Sequence, residues 1–185
     1  NTTGQLMVSQ QLKVNPQAKA KPVLPRFGMT LVMPQAFDHI HYYGRGPIEN
    51  YWDRHTSTFL GIYDQSVASQ YSPYIRPQES GNKTDVRWWS IYNASAGEGL
   101  TFTAPEPLEM ASLNYLTSDL DGGPVKEAKQ MHSGDLTARP FTVVHIAQRQ
   151  MGLGCIDSWG AWPLGKYLIP YADHSFSFII TPGVK

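Results

Sequence analysis

Cysteine is almost absent. Cys155 stands alone among 185 residues, which excludes an internal disulfide and a cysteine-rich metal site and leaves the redox compartment open. No apolar run approaches the roughly 20 residues that cross a bilayer as a helix, so no membrane partner is expected. No sign of charge dominates: fifteen Lys and Arg balance fifteen Asp and Glu. Without a basic run there is no footprint for nucleic acid or an anionic surface, and neither is expected as a partner. Internal repeats and low-complexity tracts are missing, and helical periodicity is nearly so. What remains is the composition of an ordered chain, 41% hydrophobic and 16% charged. That is enough apolar residues for one core and too few charges for disorder. A single composition regime predicts one domain over residues 1–185. The chain begins at Asn1 rather than a methionine and is expected to be an excised piece of a longer protein.

The pattern that is present has period two. Leu6, Val8, Leu12 and Val14 alternate with polar residues in "QLMVSQQLKV". "RFGMTLVM" (26–33) follows a proline-bounded crossover, "NPQAKAKPVLP" (15–25). "DHIHYYG" puts Ile40 and Tyr42 on one face and His39, His41 and Tyr43 on the other. "DVRWWSIYN" separates Val86, Trp88 and Tyr92 from Arg87, Trp89 and Ile91. "GLTFTA", "PLEMAS", "FTVVHIAQRQ" and "HSFSFIITP" complete the series, the last with Phe176, Phe178 and Ile180 on one side. Turn residues punctuate it at Gly44–Pro47, Glu79–Asn82, Ala96–Gly99 and Asp121–Pro124. The spacing predicts an all-β antiparallel sandwich or barrel. The one helical candidate is "SLNYLTSDLDGG", capped by Ser112 or Asn114 and stopped by Gly122.

"MGLGCIDSWGAWP" (151–163) sets three glycines and a proline beside Trp159 and Trp162. A segment so rich in breakers is a loop, and loops carry function. An indole is also the best flat surface for the C–H face of a sugar ring. Asp157 or Ser158 can brace the turn, and Trp162 is either a second platform or packing beneath the loop. Other constellations have ordinary readings beside their chemical ones. Glycoside hydrolysis needs two carboxyls roughly 5–9 Å apart. Glu49 and Asp53 share "GPIENYWDR", but carboxylates in irregular loops usually brace backbone N–H groups or pair with arginines such as Arg45 and Arg54. Glu79 with His132 or His145 would suit acid–base work on a sugar ring. His39 and His41 share a strand face and could take a metal with His55, although exposed strand histidines are the ordinary case. "PQESGN" (77–82) is a polar loop that reads either as a sugar contact or as a strand connection.

Five ordered segments carry a resemblance: "LPRFGM" (24–29), "YYGRGPIENYWDR" (42–54), "YIRPQESGNKTDVRWW" (74–89), "HSGDL" (132–136) and "MGLGCIDSWG" (151–160). Together they resemble the C-terminal, small-chain domain of the large bacterial β-galactosidases of glycoside hydrolase family two, from about Val23 to the end. The resemblance implies an antiparallel supersandwich similar to galactose mutarotase, of which residues 1–185 would be the later part. The earlier strands and the catalytic barrel, with both catalytic glutamates and the family's metal ions, would lie elsewhere. No catalytic residue, metal or cofactor is therefore assigned to these residues. In the family, the tryptophan of "DSWG" is reached by the sugar beyond the cleaved galactose, which here is Trp159. Relatives commonly carry a further glycine where Cys155 stands, which leaves the turn geometry there open.

The expected function is a non-catalytic part of a β-galactosidase that supplies a Trp-bearing loop to the active-site rim. Asp157, Ser158, Trp159 and Trp162 are its candidate sugar contacts. The expected partners are a galactoside or another sugar, the remaining domains of the parent enzyme, and a second copy paired through an open sheet edge. An autonomous carbohydrate-binding module and, further off, an aldose 1-epimerase are the alternatives. The compartment stays open between cytoplasm and periplasm.

Overall fold

The computed structural model describes residues 4–123, 132–154 and 160–184. Eight antiparallel strands form one open sheet: β1 (Leu6–Leu12), β2 (Arg26–Pro34), β3 (His39–Gly46), β4 (Phe59–Ser66), β5 (Lys83–Tyr92), β6 (Glu98–Leu113), β7 (Phe141–Gln150) and β8 (His174–Val184). One turn of helix, α1 (Thr117–Leu120), follows β6. The fold is thus all-β and antiparallel, as the alternation predicts.

The sheet runs β1-β8-β6-β5-β3-β4 and forks at β6. β6 pairs β8 along Glu98–Thr103, then pairs β7 along Glu109–Leu113. β7 carries β2 on its far side. "GLTFTA" and "PLEMAS", read as two strands, are therefore two halves of one 16-residue strand that changes partner across Pro105 and Pro107. Proline lacks the N–H a ladder needs, so the change of partner falls where pairing is already weak. The two arms of the fork meet side chain to side chain. Phe27 of β2 lies 5.5 Å from the rings of both His174 and Phe176 on β8, and Gln10 Nε2 of β1 donates to the Gly28 carbonyl of β2 at 3.1 Å.

The core gathers Ile40 and Tyr42 of β3, Trp89 and Ile91 of β5, Phe102 and Met110 of β6, Val144 and Ile146 of β7, and Phe178 of β8. Tyr42 and Trp89 stack at 4.7 Å. Val86 and Trp89 are both buried, whereas strict alternation sets them on opposite faces. The register between β5 and β6 shifts on either side of Val86, and Asp85 there adopts a φ of 55°. The phase changes at the second of these shifts, where the step from Val86 to Trp88 is matched by the longer step from Leu108 to Thr103 on β6, so the inward set becomes Val86, Trp89 and Ile91. Aspartate tolerates the left-handed region, and Arg45 Nε secures its carboxylate at 2.6 Å.

Two further expectations are corrected. Ser112 lies in β6 and Asn114 donates from Nδ2 to the Phe141 carbonyl, so neither caps α1. Leu116 is the N-cap instead, its N–H bonded by Asp119 Oδ2 at 2.9 Å. Leu6, expected on the buried face of β1, is exposed at the strand's start, while Val8 and Leu12 on that face are partly buried; β1 is an edge strand paired only with β8. β2, paired only with β7, and β4, paired only with β3, are edges too, and β4 was not among the expected strands.

Candidate functional site

The loops that carry the motifs converge at one end of the sheet. β3 ends there at Gly46, β5 starts there at Lys83, and β7 ends there at Gln150. Segments 47–54, 77–82 and 151–154 thus become neighbours although about 100 residues separate the first from the last.

Asn50 stitches the first two segments together. It is fully buried and accepts at Oδ1 from the Thr84 N–H at 2.9 Å. Its own N–H donates to the Asn82 carbonyl at 2.8 Å, and Asn82 Nδ2 returns a bond to the Asn50 carbonyl at 3.0 Å. Glu49 accepts from the Gly81 N–H at 2.8 Å, from Tyr51 Oη at 3.2 Å and from Arg54 at 2.9 Å. Asp53 reaches the third segment. Its two oxygens accept from the N–H groups of Leu153 at 3.1 Å and Gly154 at 2.8 Å. Glu49 and Asp53 are therefore bracing carboxylates, each occupied by backbone amides.

The start of the 151–163 loop is held on every side. Met151 N–H donates to the Pro25 carbonyl and Gly152 N–H to the Tyr167 carbonyl. A Cβ on Gly152 would lie 2.6 Å from the Asp53 carboxyl carbon, so only glycine allows this approach. Gly154, at a φ of 72°, packs so closely on the returning strand of the loop that a Cβ would sit 3.2 Å from the Ala161 oxygen and 3.1 Å from the Pro163 nitrogen. The two stems thus close into a neck. Trp162, between Ala161 and Pro163 on the returning stem, is 62% exposed. Asp157, Ser158 and Trp159, with Cys155, lie outside the described residues. Trp52 supports the neck from below: the Arg149 guanidinium stacks 4.2 Å from its ring centre, and Tyr167 meets it edge-on.

Beneath the loops lies a buried polar network that the strand pattern does not announce. Glu109, 2% exposed, accepts from Arg149, Asn82 Nδ2 and the Gln150 N–H at 3.2–3.3 Å. Burial pushes its carboxyl up to about 7, against the pull of Arg149 and these donors. Lys83 donates to Gln70 Oε1 at 2.8 Å, and burial brings it down to about 8. Arg26 joins Glu79 at 2.6 Å, Gln150 and His145. Burial raises the Glu79 carboxyl despite Arg26, and burial with the Arg26 charge lowers His145 to about 3. The one legible signal was a charge inside an apolar run, as in Leu108-Glu109-Met110, which marks a strand buried on both faces.

The acid–base pair that the sequence offered is brought together only in part. Glu79 and His145 share Arg26, but His145 is 6% exposed and also bonded to Thr30. His132 bonds the Ile75 carbonyl instead. His39 pairs with Asp38, and His41 packs edge-on against Trp88. Among the described residues no group of three or more His, Cys, Asp or Glu is placed to hold a metal ion.

The family model for the beta galactosidase small chain matches residues 1–180. The chain belongs to that family. It is 37% identical over 178 residues to a beta-galactosidase of Priestia megaterium, covering 96% of this chain and 16% of that relative. It is 38% identical over 146 residues to the beta-galactosidase of Lactobacillus delbrueckii subsp. bulgaricus, covering 78% of this chain and 13% of the relative. The Streptococcus thermophilus beta-galactosidase is 32% identical over 163 residues, covering 87% and 15%. The chain thus spans about a sixth of the length of the first of these relatives, and it matches them as a β-galactosidase domain rather than as a whole enzyme.

Proposed function

We propose that residues 1–185 form the later part of the C-terminal sandwich of a β-galactosidase, a supersandwich of the galactose mutarotase kind. It is non-catalytic alone and presents a tryptophan-bearing loop at the rim of the parent's active site. The carrying observation is the clamped neck of the 151–163 loop, fixed by Asp53 through Leu153 and Gly154 and narrowed by glycine where no side chain fits. A rigid neck lets a loop hold an aromatic ring against a sugar without ordering it anew at each binding event. On this reading Trp159 stacks on the sugar beyond the scissile bond, with Asp157 and Ser158 shaping the turn and Trp162 as a second exposed platform. Both catalytic carboxyls then belong to another part of the parent chain.

The test compares two substrates in the intact parent enzyme. Trp159→Ala should lower kcat/KM for lactose roughly ten- to hundredfold, mainly through KM, and leave a nitrophenyl galactoside nearly untouched, because that substrate lacks the second sugar. Equal losses on both substrates with a lowered Tm would make Trp159 a structural anchor. The exposure of Trp162 favours one second reading, an autonomous carbohydrate-binding module. Sugar affinity of the isolated chain, lost in Trp159→Ala and Trp162→Ala, would select it.

A further inference from the structure

The fork in the sheet creates a second place of interest, away from the motif loops. β6 leaves β8 after Thr103 and reaches β7 at Glu109, so the two arms diverge across Ala104–Leu108. A cleft of about 370 Å³ opens in the wedge, lined by β1, the β6 corner, β7 and β8. This lies within the range of small-molecule sites, about 300–1,000 Å³. None of its lining residues belongs to the motif loops.

Its chemistry is uncharged but for one group. Gln10, Gln11 and Gln148 supply carboxamides, Ser177 a hydroxyl and Phe176 a half-buried ring. Glu106, held between Pro105 and Pro107, supplies the one carboxylate. No lysine, arginine or histidine is among the described lining residues, so the cleft does not suit a phosphate or a carboxylate ligand. Two of the carboxamides are fixed beforehand. Gln10 Nε2 donates to the Gly28 carbonyl at 3.1 Å, and Gln148 Nε2 to the Ser175 carbonyl at 3.0 Å. Gln10 Oε1 is thereby left buried with no donor among the described residues. Such an acceptor lies behind the cleft wall, and the polar groups offered to a ligand are those of Gln11, Gln148, Ser177 and Glu106.

We propose that this cleft binds a neutral carbohydrate of one or two pyranose rings. Sugar hydroxyls donate and accept, as carboxamides do, and they can donate to Glu106 and to the Gln11 carboxamide. The C–H face of the ring has Phe176 to lie against. Because the residues are fixed by the fork and not by the loop at 151–163, the site stands whether or not that loop meets a sugar.

The experiment is an NMR titration of the isotope-labelled chain with galactose, glucose and lactose, with inorganic phosphate as the charged control. Saturable shifts are expected at the side-chain amides of Gln10, Gln11 and Gln148, with no response to phosphate. Glu106→Gln and Gln148→Ala should each weaken binding roughly three- to tenfold. Absence of saturable shifts at these amides overturns the proposal, and so does an equal response to phosphate. Shifts confined to 47–54 and 151–163 also overturn it, while supporting the loop as the sugar contact. A response to an extended polar peptide but to no sugar replaces it with strand pairing along β8.

Discussion

At the scale of single residues, the neck of the glycine loop is set by one carboxylate. Asp53 satisfies two backbone N–H groups and leaves no room for a side chain on Gly152. Gly152→Ala should destabilise the chain by about 1–3 kcal/mol, read as a lower urea midpoint. In an Asp53→Ala background the same substitution should cost clearly less, because the clashing group is gone. Additive losses would show that the tight approach is not what demands glycine. Glu109 gives a prediction in pH. Its carboxyl titrates near 7 in the fold against an ordinary 4.5. Between those values the folded chain holds a proton that the unfolded chain has released, so stability from this group falls as pH rises from about 4.5 to about 7. His145 acts the other way: its depressed value withdraws stability as pH falls from about 6.5 towards 3. Between about 4.5 and 6.5 the two groups oppose each other, so Glu109→Gln should make stability rise more steeply with pH there and leave the limb below about 4.5, set by His145, in place. Urea unfolding across this range checks it, and an unchanged slope above the ordinary carboxyl value would refute it.

At the scale of elements, β5 shows where an alternating pattern stops being readable. The bulge between Val86 and Trp88, opposite the β6 corner, shifts the phase, which sends Trp89 rather than Trp88 into line with Val86. The sequence states that the two indoles point opposite ways; the bulge decides which face each takes relative to Val86. Trp89 is fully buried on Tyr42, so Trp89→Ala should cost about 3–5 kcal/mol. Trp88→Ala removes a half-buried ring packed on His41 and should cost much less. Comparable losses in thermal unfolding would mean the outer face of β5 is as well packed as the inner. β4 was illegible for a different reason. It is an edge strand whose exposed face carries Leu60 and Ile62 and whose half-buried face carries Gly61, Tyr63 and Gln65, so hydrophobicity does not follow burial along its sequence. An apolar edge invites pairing with another copy. Ile62→Lys should leave the Tm nearly unchanged and reduce self-association in concentrated solution, as light scattering would read it.

At the scale of the whole molecule, the described carboxylates of the motif loops are all committed. Glu49 and Asp53 hold backbone amides, Glu79 holds Arg26, and Glu109 lies beneath them in the buried network. The chain alone should therefore show no turnover of a chromogenic β-galactoside. Turnover abolished by Glu49→Gln or Glu79→Gln would reverse that assignment. The sequence by itself determined the strand periods, the antiparallel class, the order of the five motifs and, through them, the family. These are local patterns or matches along the chain, and each can be read without knowing what lies opposite. Only the tertiary structure decided that β6 serves two partners, that Asp53 clamps residues about 100 positions away, and that Glu109, Gln150, Arg26 and His145 share one network. Those facts depend on which strands become neighbours. Neighbourhood is fixed by the summed burial of many side chains across the fork, and no single segment of the sequence encodes it.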